Sequence, residues 1–82
     1  MPHVLAMGGD VERFTGGLAE FDVAATTVGA MIRELETRWP GLGDYVERRM
    51  AVAIDGEIHQ DADAARLAPS SEVCLIPRIG GG

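Results

Sequence analysis

The chain is poor in the residues that carry most site chemistry. It has a single cysteine, Cys74, which excludes an internal disulfide and any four-cysteine iron–sulfur or zinc site within one copy. A reducing, cytoplasmic setting fits that usage best. The two histidines, His3 and His59, have no nearby pattern of metal ligands and no nucleophile for which they would be the base. Basic residues number 7 against 13 acidic ones, and the net charge of −6 opposes binding to nucleic acid or an anionic membrane and favours a protein partner with a basic surface. No apolar run in the sequence approaches the roughly 18 residues of a membrane span, and no basic start leads into a long apolar stretch. Neither a spanning helix nor a secretory signal is expected.

What is there suits one small domain. A chain of 82 residues buries little more than about 60% of its unfolded surface, so the core is small and there is no room for a second domain. His3-Val4-Leu5-Ala6-Met7 reads as a short apolar strand closed by the turn signal Gly8-Gly9-Asp10. Residues 11–17 read as a loop with Phe14 as its aromatic anchor; Leu18 to Val23 alternate as a second strand, with Phe21, Val23 and, as a further candidate, Leu18 on the apolar side. A first hairpin is the economical pairing. Thr26 or Thr27 caps a helix in which Val28, Met31, Ile32 and Leu35 fall at i, i+3, i+4 and i+7, and Trp39-Pro40-Gly41 ends it.

Leu42 to Arg49 reads as a charged connection with room for a short turn. Met50 to Ile54 is a third strand, and Asp55-Gly56 turns it into Glu57-Ile58-His59-Gln60. Asp61 to Leu67 suggests a helical turn with Leu67 pointing inward, and Ala68-Pro69-Ser70-Ser71 leads to the final strand. A helix after the first hairpin must cross back over the sheet. The order therefore predicts an α+β roll of the β-grasp, ubiquitin-like kind, a mixed sheet of four to five strands with one main helix packed on one face. Residues 1–79 would form that domain and residues 80–82 a flexible glycine tail.

The last ten residues, Val73 to Gly82, organise the rest. A β-branched apolar run reads as a buried strand, and Pro77 stops ladder donation shortly before three glycines. Those glycines reach roughly 10 Å and fit a channel too narrow for side chains, delivering the Gly82 carboxylate first. Taken alone, such a run reads first as a frayed end. In the strand, Val73 and Leu75 fall on one side, and Cys74 and Ile76 on the other. If Val73 and Leu75 face the helix, Ile76 with Met7 and Ile58 forms an apolar patch on the open face, of the kind that marks partner surfaces.

Three stretches together resemble the MoaD/ThiS family, which contains the small subunit of molybdopterin synthase, the thiamin sulfur carrier and related ubiquitin-like sulfur carriers. They are Thr27-Val28-Gly29-Ala30-Met31-Ile32 with its Trp39-Pro40-Gly41-Leu42 ending, the hairpin Ala53-Ile54-Asp55-Gly56-Glu57, and the close from Glu72 to Gly82. Family members end with an acidic residue and valine, an apolar pair, one or two prolines, an apolar residue, a small residue and Gly-Gly. In that pattern Gly80 is the small residue, and Gly81 and Gly82 are the reactive pair. Pro69-Ser70-Ser71 replaces the usual Asp-Gly-Asp turn, and Arg78 stands where the molybdopterin branch often has a second proline. Together these departures weaken assignment to the molybdopterin branch and leave open a carrier serving thiamin, cysteine or another sulfur-containing product.

The resemblance implies a carrier whose Gly82 carboxylate, with Gly81 beside it, is adenylated by a partner of the ubiquitin-activating type and converted to a thiocarboxylate. ATP and Mg²⁺ would be bound by that partner, and this chain would hold no cofactor or metal. A sulfur-accepting synthase would take the tail while Pro77, Arg78, Ile79, Gly80, Ile76, Ile58 and Met7 bind the partner. The chain would be a cosubstrate or small subunit rather than an enzyme. A ubiquitin-like modifier joined to target lysines through Gly82 is the alternative, and a plain interaction module with an idle tail is a third. Cys74 reads as packing rather than sulfur relay, and Arg78 equally as a partner contact or a solvated charge. His3 and His59 read as surface or strand-edge residues, and Trp39 and Phe21 as core. Phe14-Thr15-Gly16-Gly17 lacks the lysine and spacing of a phosphate loop and reads as a turn.

Overall fold

The computed structural model of the chain describes residues 1–59 and 62–78. Alternating apolar residues build five strands: β1 (His3–Ala6), β2 (Glu20–Asp22), β3 (Met50–Ile54), β4 (Glu57–His59) and β5 (Glu72–Pro77). They form one mixed sheet in the order β2-β1-β5-β3-β4. The two central strands, β1 and β5, run parallel with Val4 opposite Val73, while β3 lies antiparallel to β5 with Val52 opposite Leu75. The parallel pair joins the two ends of the chain, so the intervening segment has to cross one face. This is the β-grasp fold.

Period two decides which side is packed. Val4, Ala6, Phe21, Val52, Ile54, Val73 and Leu75 are all buried on the crossed face. The helix α2 (Val28–Arg38) lies over them because Val28, Met31 and Leu35 form a continuous inward stripe. Its start is fixed by Thr27, whose hydroxyl accepts the Ala30 N–H at 3.1 Å. At the other end the Trp39 N–H still bonds to the Leu35 carbonyl, and Pro40 follows.

Residues 42–49 depart from the expected connection. They form a second helix, α3 (Leu42–Arg49), with Leu42, Gly43 and Val46 buried. Gly43 permits it: a Cβ there would lie 2.5 Å from the Ile32 carbonyl oxygen and 2.8 Å from Glu36 Cβ, so only glycine lets α3 approach α2 this closely. The N-terminal residue Gly41 offers no capping side chain, and Glu36 of α2 supplies the cap instead. Its carboxylate accepts the Gly41 N–H at 2.8 Å and the Asp44 N–H at 3.1 Å. A shorter helix, α3, therefore accompanies the main helix α2.

The expected loop at 11–17 also holds a short helix, α1 (Glu12–Thr15), ended by Gly16 at φ 76°. Phe14 stacks against Tyr45 at 5.3 Å, and the Tyr45 hydroxyl donates to Asp10 at 2.6 Å, tying α1 to α3. Leu18 is not on the apolar side. It stays 48% exposed because the Thr15 hydroxyl accepts its N–H and donates to its carbonyl, holding it in a turn. Leu67 is buried after a short 3-10 turn at Ala62–Ala64. Gln60 and Asp61 lie outside the described residues, as does the boundary between the domain and the glycine tail.

Candidate functional site

The uncovered side of the sheet is set by the same alternation that built the core. Register places Leu5 beside Cys74, Cys74 opposite Ala53, and Ala53 opposite Ile58, one row across four strands. The next row toward the end of β5 has Ile76 opposite Ala51. Met7 extends it from just beyond β1, where its N–H donates to the Leu75 carbonyl at 2.9 Å. Ile58 is 64% exposed, Met7 47% and Leu5 37%, while Ile76 and Cys74 are half-buried. No helix covers this face among the described residues. The expected trio of Ile76, Met7 and Ile58 does share it, and Leu5 belongs with them. Alternation in His3 to Met7 already places Leu5 two residues from Met7, which is the signal by which it could have been found.

One end of the face is polar. His3 Nδ1 lies 2.9 Å from Asp22 and its Nε2 2.8 Å from Glu20, the two carboxylates that flank it on β2. Hydrogen bonding to Asp22 first, then to Glu20, raises the imidazole above its ordinary pKa. Glu72 stands beside His3 on β5. This acidic end was not legible from sequence spacing, because it is assembled from three strands. His59, by contrast, sits on the edge strand opposite Val52.

The other end is the root of the tail. Pro77 is still paired, opposite Met50, and the Arg78 N–H donates to the Arg49 carbonyl at 3.0 Å. Strand pairing therefore continues past the proline. Alternation turns the Pro77 nitrogen toward the β1 side and the Arg78 N–H toward β3, so the missing donor leaves the pairing with β3 intact. Gly8 packs on the ring: at φ 89° it adopts a left-handed conformation, and a Cβ would sit 2.6 Å from Pro77 Cγ. Arg78 adds a side-chain bond from Nε to the Met50 carbonyl at 3.1 Å. The last described residues are held from both sides. Ile79, Gly80, Gly81 and Gly82 lie outside the described residues.

Cys74 packs in the apolar row between Leu5 and Ala53. Phe21 is buried, and Trp39 is half-buried against it at 4.9 Å between ring centroids, with the Arg38 guanidinium 4.3 Å from the Trp39 ring. Among the described residues there is no group of three His, Cys, Asp or Glu side chains able to hold a metal ion. None of the helices in the described residues is long and apolar enough to cross a membrane.

The ThiS family pattern matches residues 9–82, from the first turn through the last glycine. The chain belongs to the ThiS family. Its fold is shared with CysO of Mycobacterium tuberculosis, an antigen, at a TM-score of 0.84 and 19% identity over 96% of this chain and 100% of that one. A chain of the Amycolatopsis orientalis BexX/CysO complex matches at 0.83 and 19% identity, with 100% of both covered. Small archaeal modifier protein 1 from Methanosarcina acetivorans matches at 0.77 and 18% identity, over 99% of this chain and 95% of that one. At such identities the likeness carries the fold and no residue's role. Among curated proteins none matches the chain.

Proposed function

We propose that this ThiS-family chain is a sulfur carrier whose working group is the Gly82 carboxylate. An adenylating enzyme of the ubiquitin-activating type, binding ATP and Mg²⁺ itself, would form the acyl adenylate as a carboxylate oxygen attacks the α-phosphorus and pyrophosphate leaves. A sulfur nucleophile would then displace AMP, leaving a thiocarboxylate for a sulfur-accepting synthase in a molybdopterin, thiamin or cysteine type of pathway. The chain's own part is presentation rather than catalysis. The observation that carries this reading is the fixed root of the tail: Pro77 and Arg78 are clamped by Gly8, Arg49 and Met50 beside an uncovered apolar face, and three glycines follow in the sequence.

The test is ATP–pyrophosphate exchange by the adenylating enzyme of the producing cells, with the carrier as its second substrate. Exchange should require this chain and should be lost on Gly81→Val, because a branched side chain next to the reacting end does not fit a channel shaped for glycine. Unchanged exchange with that variant would contradict the proposal.

One comparison favours a second reading, conjugation of Gly82 to target lysines, since a modifier protein shares the fold. Remnant glycines on lysines of other proteins would support it. The 7 basic residues of this chain are all arginine, so an activated end on one copy meets no side-chain amine on another. Chains of the protein on itself are not expected under either reading.

A further inference from the structure

The open face is graded in charge along the direction of β5. Alternation along β5 puts Glu72, Cys74, Ile76 and Arg78 on this side in that order, acid, small, apolar and base. The neighbouring strands add to its acidic start and to its apolar middle. Beside Glu72 lies His3, and beyond it Asp22, with Glu20 one step further along the edge strand. Leu5, Ala53 and Ile58 widen the apolar middle. Arg49, exposed and paired through its carbonyl with the Arg78 N–H, adds a second positive charge at the tail root.

The balance is unequal. Glu20 and Asp22 are 61% and 60% exposed at their side chains even while they hold His3, so their outer oxygens remain open to a partner. A second copy laid on this face would offer two positive charges, Arg49 and Arg78, to the three carboxylates of Glu20, Asp22 and Glu72, and the net charge of −6 adds repulsion. A complementary surface of opposite sign meets no such obstacle. The apolar middle supplies area without direction, and the charges at its two ends supply direction.

We infer that the open face seats a protein whose surface is apolar at its centre, basic where it meets Glu20, Asp22 and Glu72, and acidic where it meets Arg78. Charge then selects the one orientation in which the tail enters the partner's active site. The inference rests on the carrier reading above and adds the chemistry of the partner's docking surface to it. Electrostatic matching of this kind acts mainly on encounter, so it should be read in KM and salt dependence rather than in the chemical step.

The test is the exchange reaction with the adenylating enzyme purified from the producing cells, with KM for the carrier measured separately from kcat. Glu20→Lys combined with Glu72→Lys should raise KM about tenfold with kcat unchanged, and Arg78→Glu should raise it in the same direction. The milder pair Glu20→Gln and Glu72→Gln should give a smaller rise, and covers the case in which the reversed charges disturb folding. Glu47→Lys, which makes the same charge change per site on the exposed side of α3, should leave KM where it was. Raising the salt should weaken the wild type more than the doubly reversed variant. Exchange that needs Gly81 and Gly82 but treats the face variants like Glu47→Lys overturns this inference alone. Exchange that survives loss of both glycines overturns the carrier reading and the inference together. A wild-type dimer in sedimentation that the same face substitutions dissociate would assign the face to a second copy and likewise overturn it.

Discussion

The two sides of the sheet are made from alternate residues of the same strands, yet they have different work. On the helix side, Val73 and Leu75 of β5 sit beneath two helices and are fully buried. On the other side, Cys74 and Ile76 of the same strand remain half-buried with no helix above them. A small domain has enough apolar surface to saturate one side only, and what it leaves on the other is available for binding. Stability should therefore follow the packed side, and partner affinity the open one.

The largest effect that can break this comparison is Leu75→Ala, expected to cost about 2–5 kcal/mol in denaturant unfolding, against about 1 kcal/mol or less for Ile76→Ala one residue away. Equal losses would mean that the open side is structural after all. Gly43→Ala comes next. With a Cβ 2.5 Å from the Ile32 carbonyl oxygen, α3 must move off α2 at about 1–3 kcal/mol, while the open side keeps its shape. Gly8→Ala should cost about 1–2 kcal/mol through its positive φ and the contact with Pro77, and should also alter amide exchange at Arg78, which Gly43→Ala should not.

Two smaller predictions concern pH, with opposite signs. Hydrogen bonds from the Gly41 N–H, then the Asp44 N–H, hold the Glu36 carboxyl below its usual range. Its contribution is present above the ordinary carboxylate value and is lost as pH falls through the lowered one, so Glu36→Gln should reduce the acid sensitivity of unfolding. His3 runs the other way. Its contacts with Asp22 and Glu20 favour the imidazolium, so their contribution is complete below its ordinary pKa of 6.5 and disappears as pH rises through the raised folded value. His3→Gln should flatten stability on that side by a small amount, because both carboxylates are largely exposed and the ring is partly so.

Most of the sheet was legible because its signals are local. Met50–Ile54 is bounded by the Asp55-Gly56 turn, the helix from Val28 carries an uninterrupted apolar stripe and a threonine cap, and β5 reads from its β-branched run. α3 was not legible for an equally physical reason. Its cap is a glutamate from the preceding helix and its seat is a glycine that matters only through a neighbour's backbone, so nothing within Leu42 to Arg49 advertises a helix start. The apolar part of the site followed from alternation. Its acidic end did not, because His3, Glu20, Asp22 and Glu72 meet only once three strands are in register. The tail was legible as a motif, and its clamp at Gly8 and Arg49 required the fold.

The most direct measurement is the intact mass of the chain isolated from its native cells, with fragmentation to locate any change. The carrier account predicts a population in which one oxygen is replaced by sulfur, with the change confined to Gly82. A chain whose end is always a plain carboxylate while its synthase partner is active, or one recovered only as glycine remnants on lysines of other proteins, would contradict it.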